Sequence, residues 1–108
     1  MIATESQTCE QALLEADTPV LAYFWATWCQ ACKRMTPQME ALATENDPRY
    51  KIVGVDIGAN PEVAEKYGVM STPTLLLFKP GNTKPTEIQV GFAAKDWVKG
   101  LVETYLNK

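Results

Sequence analysis

The sequence contains no histidine and very little cysteine. Without an imidazole, the chain cannot use a histidine base, a Cys-His or Ser-His catalytic pair, or a histidine metal ligand. Its three cysteines are too few for the disulfide framework of a small secreted domain. They are also too few for an all-cysteine zinc site or an iron–sulfur cluster, because each needs four thiolates.

Long apolar runs and an excess of basic residues are missing as well. The longest apolar segments, residues 20–26 and 75–78, fall far short of the roughly 20 residues that cross a bilayer. Ten Lys+Arg face 13 Asp+Glu, a net charge of -3, which disfavours nucleic acid as a partner. The first 17 residues hold carboxylates but no basic residue, unlike a signal peptide. We therefore expect a cytoplasmic protein without a membrane partner; the alternative is an exported domain whose signal has been removed.

The composition that remains is that of a folded chain. Apolar residues make up 46% and charged residues 21%, and the length suits a single domain over residues 1–108. Hydrophobic patterning predicts strands over residues 20–26, 51–57, 74–79 and 87–91. Helices are predicted after a capping box at residues 4–7, over 31–46, from 60 to 68, and over 94–106. This order predicts an α/β fold, with a central mixed β-sheet flanked by helices on both faces.

One short motif carries chemistry: Trp28-Cys29-Gln30-Ala31-Cys32-Lys33, directly after the first predicted buried strand. Cys29 would lie at a helix N-terminus, where unpaired N–H groups and the helix dipole favour an anion. This position predicts that Cys29 is a thiolate nucleophile. Cys32, one turn further on, suits the resolution of a mixed disulfide. Lys33 adds positive charge nearby.

Cysteines can also bind zinc or pack as buried structural thiols. A Cys-x-x-Cys pair is also half of a common zinc site, but the sequence has no second pair and no histidine to complete it. Cys9 falls at helical spacing with Ala12, Leu13 and Ala16, which predicts a buried structural thiol and not a redox partner.

The motif and its surroundings resemble the thioredoxin family, and the resemblance covers nearly the whole chain. It implies the thioredoxin fold and a protein thiol-disulfide oxidoreductase that reduces protein disulfides through a mixed-disulfide intermediate. It also implies a redox-active Cys29–Cys32 disulfide with no other cofactor and no metal, recycling by a thioredoxin reductase, and a monomer. The matching segments are residues 24–33, Pro37, Asn60-Pro61, residues 66–69, Ser71-Thr72-Pro73-Thr74, Phe78-Lys79-x-Gly81 and Val90-Gly91.

The same resemblance implies a substrate surface beside the cysteines. Pro73 matches the family's cis-proline, and a cis bond there would expose the Thr72 backbone to pair with an extended substrate strand. Trp25 is expected in the core, whereas Trp28 is expected over the active site. The implied substrate-binding residues are Trp28, Thr72, Pro73, Gly91 and Phe92.

Two departures from the family pattern concern the redox chemistry. Tyr23 stands where the family usually has a buried Asp beneath the resolving cysteine, and Gly54 stands where a paired Lys is frequent. Gln30-Ala31 replaces the Gly-Pro of reductive thioredoxins, so Gln30, Ala31, Lys33 and Tyr23 are expected to tune the redox potential. A more oxidising or partner-dedicated relay protein is therefore an alternative. A non-catalytic binding module with the same fold is a third.

Overall fold

The structure, a computed structural model, describes residues 2–3, 13 and 16–107. Within these residues the chain runs through five strands and three bounded helices. In chain order they are β1 (Ile2–Ala3), β2 (Val20–Trp25), α1 (Gln30–Thr44), β3 (Lys51–Asp56), α2 (Pro61–Lys66), β4 (Thr74–Phe78), β5 (Pro85–Val90) and α3 (Lys95–Leu106).

Strand β2 lies at the centre of the sheet, whose strand order is β1-β3-β2-β4-β5. It pairs parallel with β3 and antiparallel with β4, which makes the sheet mixed, as predicted. The first five residues of β2 are buried, because side chains alternate between two covered faces. The unbroken apolar run in the sequence is therefore a strand covered on both sides.

Helices cover both faces of this sheet, as the sequence predicts. On one face, Leu21 and Tyr23 of β2 pack with Met35 and Met39 of α1 and with the buried side of α3. On the other face, Ala22 and Phe24 pack with Val63 and Ala64 of α2. The alternation of β2 side chains thus directs Tyr23 beneath α1, the helix that carries both motif cysteines.

Helices α1 and α3 are linked by side chains as well as by core packing. Ala94, the residue before α3, provides no side-chain cap, but the amide oxygen of Gln38 accepts the Lys95 backbone N–H at 2.9 Å. Glu45, just after α1, pairs with Lys95 and Lys99 of α3. Hydrogen bonds from these two lysines lower the pKa of Glu45.

A second group of ion pairs joins the segment that precedes β3 to α3. Arg49 pairs with Asp47 and with Glu103. Hydrogen bonds from Arg49 lower the pKa of Asp47 to about 2. Both groups of ion pairs tie α3 to the chain segment that follows α1.

Two details of the predicted elements are wrong. Pro85 was expected in the turn before the last strand, but it is the first residue of β5. A proline is tolerated there because β5 is an edge strand and no ladder hydrogen bond needs its nitrogen. The order Asn60-Pro61 predicts an asparagine cap at the start of α2. Asn60 does precede α2, but its side chain makes no cap hydrogen bond. Its amide instead donates to the carbonyl oxygen of Asp56 at 3.1 Å.

The N-terminal predictions fall largely outside the described residues. Leu13 is helical and buried, and Ala16 is buried, but the capping box at residues 4–7 and Cys9 lie outside. Strand β1 was not predicted; it pairs parallel with β3. In the part of the chain that the structure describes, no helix has the length and apolar character needed to cross a membrane.

Candidate active site

The two motif cysteines lie where the buried strand β2 passes into helix α1. The strand ends at Trp25, and the Cys29 backbone N–H donates to the Ala26 carbonyl oxygen at 3.2 Å, closing a turn. Cys29 occupies the N-cap position of α1. Cys29 and Cys32 are joined by a disulfide, with their Cα atoms 5.2 Å apart.

The surroundings of Cys29 favour negative charge on its sulfur. Its Sγ accepts the Cys32 backbone N–H at 3.1 Å, and no acidic residue lies in the first turn of α1. The hydrogen bond stabilises a thiolate at the helix start, and no carboxylate in that turn opposes it. Cys29 is 8% exposed and Cys32 only 1%, so Cys29 is the more accessible of the two cysteines.

The loop before β4 forms the opposite wall of the site. The Thr72–Pro73 peptide bond is cis, as the resemblance implied. The Thr72 carbonyl oxygen lies 3.4 Å from Cys29 Sγ, close enough to accept a hydrogen bond from a Cys29 thiol. The Gly91 N–H donates to the Pro73 carbonyl oxygen at 2.9 Å. Thr72, Pro73 and Gly91 are thereby brought together beside Cys29.

Large apolar side chains that are close in sequence to Cys29, Thr72 or Gly91 face solvent. Trp28 is 65% exposed, Met70 96% and Phe92 40%. The Trp28 ring rests against Gly58, where an added Cβ would lie 2.9 Å from the ring carbon Cζ3. Exposed apolar groups beside a reactive centre are typical of a surface that binds another molecule.

Tyr23 lies directly under Cys32. It is fully buried and pairs with Gly54 of β3. Its hydroxyl is 2.9 Å from Thr36 Oγ1 and donates a long hydrogen bond to the Cys32 carbonyl oxygen at 3.5 Å. Burial raises the pKa of Tyr23, and the hydrogen bond with Thr36 offsets part of that rise. Tyr23 therefore stays neutral at physiological pH and cannot act there as a base.

An open cleft of about 290 Å³ adjoins Cys32. It gives water a route to the neighbourhood of a sulfur that is itself nearly inaccessible. Trp25 borders the cleft. Its side chain is partly buried, so the prediction that it lies in the core is confirmed only in part. The cleft is lined by Trp25, Ala26, Thr27, Cys32, Lys33, Thr36 and Pro37.

Three residues near the site were not singled out from the sequence. Thr36 follows Cys32 by one helical turn, a spacing that places both on one face of α1. Gly58 holds the Trp28 ring, and Arg34 stacks on Phe92, with its Cζ 4.7 Å from the ring centre. Only Thr36 had a sequence signal, because the other two contacts join segments that are distant along the chain.

A metal centre is not formed by the described residues. Among them, no group of three or more Cys, Asp or Glu side chains is arranged to hold an ion. The chemistry of this site is that of a dithiol that can form a disulfide.

Comparison with known proteins agrees with this geometry. The family profile described as Thioredoxin matches residues 1–103. Thioredoxin of Bacillus subtilis is 47% identical over 87 residues, covering 81% of this chain and 82% of its own. Thioredoxin 1 of Nostoc is 36% identical over 99 residues, covering 92% and 91%. Thioredoxin of Rickettsia bellii is 40% identical over 79 residues, covering 73% and 75%. With a mixed sheet, a disulfide at a helix start and a facing cis-proline, the chain belongs to the thioredoxin family of thiol-disulfide oxidoreductases.

Proposed function

We propose that Cys29 and Cys32 carry the protein-disulfide reductase activity, with Cys29 as nucleophile and Cys32 as resolving thiol. The supporting observation is the position of Cys29 at the N-cap of α1, where its sulfur accepts the Cys32 N–H. Cys29 thiolate attacks one sulfur of a substrate disulfide, and the other substrate sulfur leaves as a thiolate. Cys32 then loses its proton and attacks Cys29 Sγ, releasing the second substrate thiolate and leaving the Cys29–Cys32 disulfide.

The proton of Cys32 passes to water in this proposal. No carboxylate stands at position 23, and the Tyr23 hydroxyl is occupied by Thr36 and the Cys32 carbonyl. The cleft beside Cys32 and Lys33 supplies a route to solvent. Two electrons move to the substrate in each cycle, and a thioredoxin reductase restores the dithiol.

The substrate docks on the residues that the structure groups around Cys29. An extended segment of the substrate pairs with the Thr72 backbone, whose carbonyl oxygen lies 3.4 Å from Cys29 Sγ. Trp28 on one side and Gly91 with Phe92 on the other supply apolar contact. We further propose that the chain acts as a monomeric single domain over residues 1–108, in the cytoplasm, with no cofactor besides its own disulfide.

Gln30, Ala31, Lys33 and Tyr23 set the reduction potential in this proposal. Gln30 and Ala31 form the start of α1 between the two sulfurs, and Tyr23 occupies the position beneath Cys32. A more oxidising or partner-dedicated relay is the second candidate, favoured by this Tyr23 environment. The reduction potential, measured in glutathione buffers, decides between the two directions.

Reduction of insulin by dithiothreitol tests the activity. The wild-type protein accelerates it, whereas Cys29→Ser abolishes the acceleration. Cys32→Ser retains attack but accumulates a mixed disulfide on Cys29, which mass spectrometry detects.

With limiting iodoacetamide near neutral pH, the reduced protein is alkylated at Cys29 before Cys32. Preferential alkylation of Cys32 would reverse the two assignments, and no acceleration of insulin reduction would refute the proposed function.

A further inference from the structure

A chain of contacts leads from the disulfide around the docking surface and back to helix α1. Cys29 Sγ faces the Thr72 carbonyl oxygen, and the Pro73 carbonyl accepts the Gly91 N–H. The next residue, Phe92, carries the guanidinium of Arg34 at 4.7 Å from its ring centre. Arg34 follows Cys32 by only two residues on α1. Its charge is therefore held at the rim of the surface on which the substrate docks.

Among the described residues, no hydrogen bond or ion pair engages the Arg34 guanidinium, so its N–H donors are available. A guanidinium that lies over an aromatic ring keeps its N–H donors in its own plane, and these match a carboxylate bidentately. The contact also restrains a long side chain, which reduces the entropy lost when a ligand binds. Phe92 is 40% exposed, so the stacked pair is open to an incoming chain.

Arg34 differs in this respect from three other cations of the molecule. Arg49, Lys95 and Lys99 are engaged by Asp47, Glu103 or Glu45. Within the described residues, neither Arg34 nor its exposed neighbour Lys33 forms an ion pair. The chain as a whole has a net charge of -3. The positive rim at α1 is thus a local feature of the docking surface and does not follow from overall charge.

We propose that Arg34, held on Phe92, makes this protein prefer disulfide substrates with a carboxylate close to the attacked cysteine. The inference rests on the proposed function and adds a substrate class to it: acidic polypeptide segments. A substrate strand that pairs beside Thr72 advances about 3.3 Å per residue. Two residues of such a strand span about 7 Å, so we place the recognised Asp or Glu within two residues of the attacked cysteine. Charge complementarity acts mainly on the association of substrate and enzyme.

The size of the preference follows from the exposure of the pair. A solvent-exposed ion pair contributes up to about 1 kcal/mol, which corresponds to roughly a fivefold change in kcat/KM. Because both groups face water, added salt screens the attraction, and the Debye length falls from ~10 Å at 0.1 M to ~3 Å at 1 M. A fivefold preference at low salt should therefore decrease strongly at 1 M salt.

The test uses two disulfide peptides that differ only in having Glu or Gln at the two positions flanking one cysteine. Carboxylates also change the intrinsic reactivity of the peptide disulfide, so each rate is divided by the rate with dithiothreitol. The measured quantity is the Glu-to-Gln ratio of corrected kcat/KM. This ratio cancels any effect of a substitution on the redox chemistry of Cys29 and Cys32, because that effect is common to both peptides.

For the wild-type protein we expect a ratio clearly above 1 and up to about 5, and for Arg34→Gln a ratio near 1. Arg34→Lys should give an intermediate ratio, because an ammonium keeps the charge but not the bidentate geometry. Lys79→Gln is the matched control, because it also removes one positive charge. Lys79 follows the last residue of β4, whereas Pro73 precedes the first, so this variant should keep the wild-type ratio. A wild-type ratio near 1, or an unchanged ratio in Arg34→Gln, overturns the inference. Failure to reduce either peptide instead overturns the proposed function.

Discussion

Replacing Tyr23 by Asp places a carboxylate under Cys32 and tests whether this chain lacks an efficient base there. General-base catalysis typically contributes about 100-fold or more to a step with a rate-limiting proton transfer. We therefore expect Tyr23→Asp to resolve the mixed disulfide faster, most clearly above neutral pH, where the new carboxylate is ionised. The substitution also removes the hydrogen bond between Tyr23 and Thr36. This loss lowers the stability of the fold but does not slow the proton transfer, because neither hydroxyl acts as a base.

The same substitution should destabilise the oxidised protein in a pH-dependent manner. Position 23 is fully buried, and the facing residue on β3 is Gly54, which brings no cation. Full burial raises a carboxyl pKa by ~3 units or more above ~3.9, which corresponds to ~4 kcal/mol. The pKa of Asp at position 23 is higher in the folded than in the unfolded protein. The penalty is therefore absent below about pH 4, where both states are protonated, and it increases with pH until the folded-state pKa is passed. A lysine introduced by Gly54→Lys should relieve part of it.

Tyr23→Asn is the matched control, because Asn has nearly the shape of Asp but cannot ionise. Single-turnover reactions quenched in acid and alkylated report the accumulation of mixed disulfide by mass spectrometry, and urea unfolding from pH 4 to 9 reports stability. Asp and Asn variants should agree near pH 4 and diverge as the pH rises. If the two variants resolve the mixed disulfide equally fast at pH 8, the reasoning about a missing base is refuted.

Three further predictions concern other parts of the molecule. Gly58→Ala should displace the Trp28 ring, because the added Cβ would lie 2.9 Å from it; the tryptophan emission should shift and KM for insulin should rise severalfold, and unchanged spectra would contradict this. Glu45→Gln should lower the urea midpoint slightly at pH 7, because the pKa of Glu45 is lowered in the folded state. Stability gained from a lowered carboxyl pKa is lost as the pH falls through that pKa. A difference between wild type and Glu45→Gln that persists at pH 2 would therefore contradict the prediction. Cys9→Ala should keep insulin reduction near the wild-type rate with a small loss of stability; a large loss of turnover in a normally folded variant would assign Cys9 to the redox chemistry.

Most of the fold could be predicted because its signals are local. The apolar run of β2 and the helical spacing of Met35 and Met39 identify buried elements directly. The placement of Tyr23 beneath Cys32 also followed from strand alternation combined with the family resemblance. Strand β1 was missed because two residues give no periodicity. Its pairing with β3 is a tertiary contact.

The site was predicted where the motif itself specifies geometry and missed where distant segments meet. Cys29 at the start of α1 follows from the order of strand, turn and helix. Arg34 on Phe92 and Trp28 against Gly58 join positions far apart in the sequence, and no local pattern encodes such contacts. Pro85 was misassigned because proline usually marks turns, whereas an edge strand accepts it at its first position.

The capping of α3 by Gln38 has a consequence for the order of folding. The first turn of α3 has no cap from its own sequence, and its Lys95 N–H is satisfied by a side chain 57 residues earlier. A C-terminal fragment that lacks α1 would leave this N–H without that acceptor, and an isolated helix of 12 residues is marginal in water. Helix α3 should therefore become fully protected from hydrogen exchange only after α1 has docked on the sheet, so that the redox helix and the C-terminal helix acquire their stability together.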